Sequence, residues 1–296
     1  MFSKYDEVLV CPEAEILINK FLGNPGKLFD FNVFVQWEIE KSLDRDNKLK
    51  SWNLSISDLS VLNNTKTNFD AFIQILNVYR QKVKPDASTI IFKGDTLIYS
   101  VGKILRASDN KYNIKFISIF RDVRAVLNSQ KNTVGSNNKR LSTNPLQTSI
   151  QWIKFIKASE ILSENNEFYS LKYEDLISET DKTFSRILTK LKLNLGNFNS
   201  TGDLYQRIPD NQKKMHSNIN NPPDVSRITA WKTELSKANI YLIENKTAGI
   251  LKHYDYELLN FKINYFYFFI LSICYYSDYY VKLLYKNIIN LLRAND

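Results

Sequence analysis

Two hydrophobic periods alternate along this chain, and the stretch Lys115–Gln130, KFISIFRDVRAVLNSQ, contains both. Lys115–Phe120 is apolar on successive residues, the pattern of a central parallel strand covered on both faces. It runs without a break into a helix beginning near Arg121, which packs Ala125, Val126 and Leu127 on the sheet. The turn between them brings Arg121, Asp122 and Arg124 to the start of that helix. Free N–H groups and a partial positive charge favour an anion there. Ser129 follows Arg121 by eight residues. An arginine and a hydroxyl about two turns apart can hold one phosphate between them. Taken alone, the plainer reading is an ordinary strand–helix unit with Arg121 in a surface salt bridge.

The remaining pattern extends the alternation. Glu7–Val10 predicts a short strand, and Ala14–Leu22 a helix with Ile16, Leu17, Phe21 and Leu22 on one face, ending at Gly23, Pro25 and Gly26. Val33–Leu43 predicts a helix with Trp37 inward. Phe69–Val83 predicts an amphipathic helix striped by Phe72, Ile73, Leu76 and Tyr79 and stopped before Pro85. Ser88–Lys93 is a strand and Leu97–Ala107 a helix, before the Lys115 strand. Ser149–Ser163 is a helix, and Glu167–Lys172 a strand entering Tyr173-Glu174-Asp175-Leu176. Lys182–Leu193 is a helix with Gly196 placed to stop it, and Ser236 caps a helix through about Leu251. Strand–helix–strand alternation is the signature of an α/β fold, a central parallel sheet with right-handed crossovers. The polar Thr133–Gln147 reads as a mobile loop at the sheet edge that carries Arg121, where such folds place ligands. Asn197–Ser226, with Pro209, Pro222 and Pro223, reads as an irregular excursion.

Composition narrows the chemistry. A chain of 296 residues with ordinary apolar content suits one large α/β domain, or one domain with appendages. The net charge of +9 comes from dispersed Lys and Arg without a polybasic run. That argues against a nucleic-acid binder and suits anionic small ligands or an anionic surface. Cys11 and Cys274 are far apart and the only histidines are His216 and His253, so no metal site is expected. No basic segment followed by a long apolar run opens the chain, so a cytoplasmic or membrane-peripheral location is expected. His216 reads as an exposed loop residue. The tail, residues 259–296, is rich in Tyr, Phe, Ile and Leu. Its uncharged core, Ile263–Ser277, is shorter than the roughly 20 residues that span a bilayer. An interfacial or packing helix is expected there.

Three segments then combine into a pattern that resembles the sulfotransferase family, in the branch of the tyrosylprotein and related bacterial enzymes. They are FISIFRDVRAVLNS, FYSLKYEDLISETDKTFSRILTKLKL and RITAWKTELSKANIYLIENKTAGILKHYDYEL, in that order. The resemblance covers about Tyr5 to Leu258. It implies a P-loop-like three-layer fold over residues 1–258, and the aromatic-rich helical tail over 259–296 lies outside it. It also implies 3′-phosphoadenosine 5′-phosphosulfate as co-substrate, without a metal. Arg121 and Ser129 are implied as 3′-phosphate ligands and Tyr173 as a neighbour of the adenine. Lys93 is implied as the cation facing the transferring group, and Glu13 as the general base. Lys232, or alternatively Arg227, is implied to close over the nucleotide. Glu15 rivals Glu13 on spacing alone, and Trp231 reads as a packing residue.

These parts suit the reaction. An in-line displacement at sulfur needs a base for the acceptor's proton and cations for the charge on oxygen. The acceptor implied is a hydroxyl or amine of a carbohydrate, lipid or peptide. The family's strand and Ser-Gly-Thr-Thr-type loop, which cradles the 5′-phosphosulfate, has no counterpart in this sequence. Gly23-Asn24-Pro25-Gly26-Lys27 follows a helix, and Pro25 removes a donor. The expectation is an N-terminally truncated sulfotransferase lacking its first strand. The alternative is an inactive protein of that fold that binds nucleotide or a partner. A small-molecule kinase would need an NTP loop with its lysine, which is also absent.

Overall fold

The computed structural model describes residues 2–14, 17–42, 52–134, 140–196, 221, 224–261 and 265–294. Glu15, Ile16, His216, the Trp37 side chain and nearly all of Asn197–Ser226 up to residue 223 lie outside them. The chain divides into two compact units. The first holds Met1–Ser118, Leu162–Tyr169 and Asp181–Pro222. The second holds Ile119–Ile161, Ser170–Thr180 and Pro223–Asp296.

In the first unit, β1 (Val8–Val10) pairs in parallel with β2 (Thr89–Ile91), with Val8 opposite Thr89 and Val10 opposite Ile91. Between them lie α1 (Phe31–Ser42) and α2 (Asn68–Val83). The predicted helix at Ala14–Leu22 survives as a wide turn over Ile18–Leu22, closed by the Gly23 N–H on the Ile18 carbonyl at 2.9 Å. Leu17, Ile18, Phe21 and Leu22 are buried in it. Thr67 and Asp70 cap α2 reciprocally: the Thr67 hydroxyl takes the Asp70 N–H, and Asp70 takes the Thr67 N–H. Aromatic rings fill this core, with Trp52 on Tyr79 at 4.5 Å and Phe72 edge-on to Phe92 at 5.1 Å. A 3-10 turn, Leu97–Ser100, leads into α3 (Val101–Ser108).

β3 (Phe116–Phe120) pairs with β4 (Phe168–Lys172), and the division between the units passes through both. The Phe116 N–H donates to the Glu167 carbonyl at 2.7 Å. Among the described residues the strands thus make two two-stranded sheets, and β2 and β3 are not ladder neighbours. β3 also differs from the expected doubly covered strand. Phe116, Ser118 and Phe120 are buried, whereas Ile117 and Ile119 are exposed. With period-2 geometry, these two side chains share the second face, which the described residues cover only in part.

The second unit packs α4 (Val123–Asn132), α5 (Pro145–Leu162), α8 (Trp231–Glu234) and α9 (Lys237–His253) around one core. Phe120, Val123, Leu127, Trp152, Trp231 and Ile243 are central to it. Ser236 caps α9 by accepting the Asn239 N–H. The Tyr-Glu-Asp-Leu turn is itself a short helix, α6 (Tyr173–Ser178), and α7 (Thr180–Lys190) follows. Two expected boundaries shift. Pro145 opens α5, so the loop after Asn132 is shorter than predicted; residues 135–139 lie outside the description. α7 ends at Lys190, well before Gly196, and Lys192 just beyond it has a φ of 53°. Gly196 has an ordinary φ and instead gives its N–H to Glu7. The tail forms one 30-residue helix, α10 (Tyr265–Ala294). No helix among the described residues is long and apolar enough to cross a membrane.

Candidate active site

Two polar groups form at strand ends, one in each unit. In the first unit, register dictates the meeting. β1 and β2 run parallel with Val10 beside Ile91, and the Cys11 N–H extends the ladder to the Ile91 carbonyl at 2.8 Å. Chains leaving parallel strands emerge from the same edge, so residues a few positions on stay close. Glu13 and Lys93 therefore meet, Nζ to Oε2 at 3.3 Å. Lys93 is largely exposed and Glu13 mostly covered. This places a carboxylate and a movable cation side by side.

In the second unit the same logic joins Arg121, just past β3, to Tyr173, just past β4. The guanidinium lies over the Tyr173 ring, 4.5 Å from its centroid. The Arg121 carbonyl accepts the Trp152 indole N–H at 2.8 Å, fixing the backbone there. One Nη of Arg121 donates to the Arg227 carbonyl. Its Nε is buried and has no hydrogen-bond partner among the described residues. A buried N–H on a permanent cation, left unpaired, is a group whose desolvation an anionic ligand can offset. Ser129 lies six residues into α4, about 9 Å along its axis, and is exposed.

The other anticipated residues fall as follows. Arg227 adjoins Arg121, and its side chain reaches Glu234 at 3.5 Å. Glu234 also accepts from Asn128 at 2.7 Å and Asn132 at 3.0 Å, tying α8 to α4. Lys232 is turned to Glu257, 2.8 Å away. Trp231 is buried in the core, as a packing residue.

Beneath Arg121 lies a buried network that the motif reading missed. Arg124 is 1% exposed. It forks onto Asp122, Nε to Oδ1 at 3.0 Å and Nη2 to Oδ2 at 2.7 Å, and reaches Glu244 at 2.5 Å. Its guanidinium stacks on Trp231, 3.9 Å from the ring centroid. Burial works against its charge, but hydrogen bonds and attraction from Asp122 and Glu244 outweigh that and hold its pKa above the ordinary value. Glu244 takes the N–H groups of Leu259 and Asn260 as well, at 3.0 and 3.2 Å. Glu174 of the Tyr-Glu-Asp-Leu turn accepts the Asp122 N–H at 2.9 Å and the Tyr256 hydroxyl at 2.9 Å. Asp122 caps α4 by taking the Arg124 N–H at 2.8 Å. The turn that carries Arg121 is thus held from three sides. One signal was present in the sequence: Glu244 interrupts the apolar stripe Ile240, Ile243, Thr247, Leu251 of α9. An acid on a buried stripe needs a partner. Among the described residues no cluster of three His, Cys, Asp or Glu side chains could hold a metal ion.

No family model matches this sequence. No curated protein matches it either. Among solved structures, the fold is similar to that of the sulfotransferase domain from the curacin biosynthetic pathway. That likeness covers 86% of this chain and 91% of that one at 17% identity, with a TM-score of 0.50. The sulfotransferase domain of the Synechococcus PCC 7002 olefin synthase aligns over 86% of this chain and 97% of its own at 15% identity, TM-score 0.49. The chain therefore has a mixed α/β fold of the kind seen in a sulfotransferase domain.

Proposed function

We propose that this protein is a sulfotransferase that takes 3′-phosphoadenosine 5′-phosphosulfate as donor and a hydroxyl or amine as acceptor. Arg121 is the observation that carries the reading. It is a permanent cation at a strand end beside a helix N-terminus, with a buried N–H unmatched among the described residues, resting on an aromatic ring. Those features suit a phosphate on a nucleoside. Arg227 lies next to Arg121, and Ser129 lies further along α4; they are assigned to the same phosphate, with Tyr173 beside the base. Lys232, paired with Glu257, is free to exchange that exposed partner for the nucleotide.

Glu13 and Lys93 are assigned to the transfer. Glu13 accepts the proton of the acceptor hydroxyl or amine as its oxygen or nitrogen bonds to sulfur. The bond from sulfur to the 5′-phosphate oxygen breaks, and the bisphosphate leaves. Lys93 stabilises negative charge on the oxygens around sulfur. Fold likeness and the three sequence segments support this reading. So does the meeting of a carboxylate and a lysine at one strand edge. The buried Arg124 network supports it by holding the Arg121 turn rigid, which preorganised anion binding requires.

The test is transfer of labelled sulfuryl from the donor to a panel of carbohydrate, lipid and peptide acceptors by the purified chain. Labelled product that disappears with Glu13→Gln supports the reading. Tight bisphosphate binding without transfer to any acceptor would leave a nucleotide-binding protein and overturn the catalytic assignment.

A further inference from the structure

α10 is 30 residues long, about 45 Å of helix, and it wears its apolar side outward. Phe269, Ile273, Tyr276, Tyr280 and Leu284 recur at spacings of four and three. They therefore form one ridge along the helix. Each is between 40% and 61% exposed. The opposite side is fastened to the second unit. Asn144 donates to the Tyr275 carbonyl at 3.1 Å and to Asp278 at 2.7 Å, and the Tyr275 hydroxyl donates to Asn239 at 3.2 Å. These anchors set the rotation of the helix, so the ridge does not turn inward. Folded proteins rarely leave so long an apolar strip in water without a use for it.

We propose that this ridge seats α10 in the interfacial layer of an anionic lipid bilayer. Charge and composition select that occupant. The helix carries one acid, Asp278, against Lys282, Lys286 and Arg293. Asp278 lies on the anchored side, held by Asn144 and by Lys282 at 2.8 Å. The ridge therefore shows no carboxylate to lipid phosphates. The chain as a whole carries +9, which draws it to such a surface. Three of the five ridge residues are aromatic. Tyrosine rings, apolar in body and polar at the tip, favour the headgroup boundary. No helix among the described residues is long and apolar enough to cross, which leaves α10 lying in the plane of the surface. A second copy is the lesser fit: it would bring two helices of net positive charge together.

The test uses the full chain with vesicles of phosphatidylcholine, with and without phosphatidylglycerol. Co-sedimentation with the anionic vesicles is expected, weaker by about tenfold on phosphatidylcholine alone and falling with salt. The double substitution Ile273→Glu, Tyr280→Glu lowers it by about tenfold or more. A second readout puts an environment-sensitive dye on the ridge itself, at Leu284→Cys in a Cys274→Ser chain, Cys11 being buried. That dye shifts to the blue with anionic vesicles. Absence of association, association unchanged by the double substitution, or an unshifted dye overturns the proposal. So does a dimer in vesicle-free solution, seen by sedimentation equilibrium, that the double substitution dissolves.

Discussion

The guanidinium of Arg121 rests 4.5 Å from the centre of the Tyr173 ring, although 52 residues separate them. The two meet because each directly follows a strand of the same pair, β3 and β4. The same rule brings Glu13 to Lys93 beyond β1 and β2. Two strand pairs thus each present one polar couple at an edge.

Glu13 and Lys93 form an ion pair at a partly exposed edge, so its loss costs little stability, about 1 kcal/mol or less. Glu13→Gln is expected to lower sulfuryl transfer by about a hundredfold or more. Its affinity for the bisphosphate and its melting temperature stay near those of the parent. Calorimetry and a thermal melt beside the transfer assay check this. A comparable loss of nucleotide affinity would remove Glu13 from the role of base.

Arg124 is the reverse case. Arg124→Met leaves Asp122 and Glu244 buried without their cation, and about 3–5 kcal/mol of stability is expected to go. Chemical denaturation monitored by tryptophan fluorescence measures it. Glu244→Gln keeps the shape and part of the hydrogen bonding, so its loss should be smaller. Equal midpoints for Arg124→Met and the parent would refute the account of this network.

Tyr254 and Tyr256 make stability fall at high pH. Burial, followed by the nearby Glu160, raises Tyr254 to about 12, and burial with Glu174 raises Tyr256 as well. Both groups therefore keep their protons in the folded chain after unfolded tyrosine, near 10, has lost them. The folded state then binds more protons, so this stabilisation is complete below pH about 10 and is lost as pH rises toward 12. Denaturation midpoints across that range should decline. The Tyr254→Phe, Tyr256→Phe double variant should decline less, and identical slopes would contradict the assignment.

Much of the local pattern was legible before the structure. The α2 stripe, the Ser236 cap and the strand-to-helix passage at Arg121 follow from periodicity and cap chemistry alone. The end of α7 did not, because Lys192 takes a left-handed conformation that its side chain gives no sign of favouring. The partly open face of β3 was hidden as well: isoleucine at 117 and 119 reads as buried whether or not anything covers it. The Arg124–Glu244 pair spans 120 residues. Local motifs carry no information on such contacts, beyond an acid set on an apolar stripe. Between the two candidates for closing over a nucleotide, spacing could not choose; the structure puts Arg227 against Arg121 and Lys232 against Glu257.

The central claim is that Arg121 grips the phosphate of a nucleoside bisphosphate. Titration calorimetry of the chain and of Arg121→Ala with 3′-phosphoadenosine 5′-phosphate tests it most directly. Loss of a charge-assisted contact of about 1.5–3 kcal/mol predicts roughly tenfold to more than hundredfold weaker binding. Arg121→Lys should recover part of it. Equal affinity in the parent and Arg121→Ala, or no binding by the folded parent, would contradict the account.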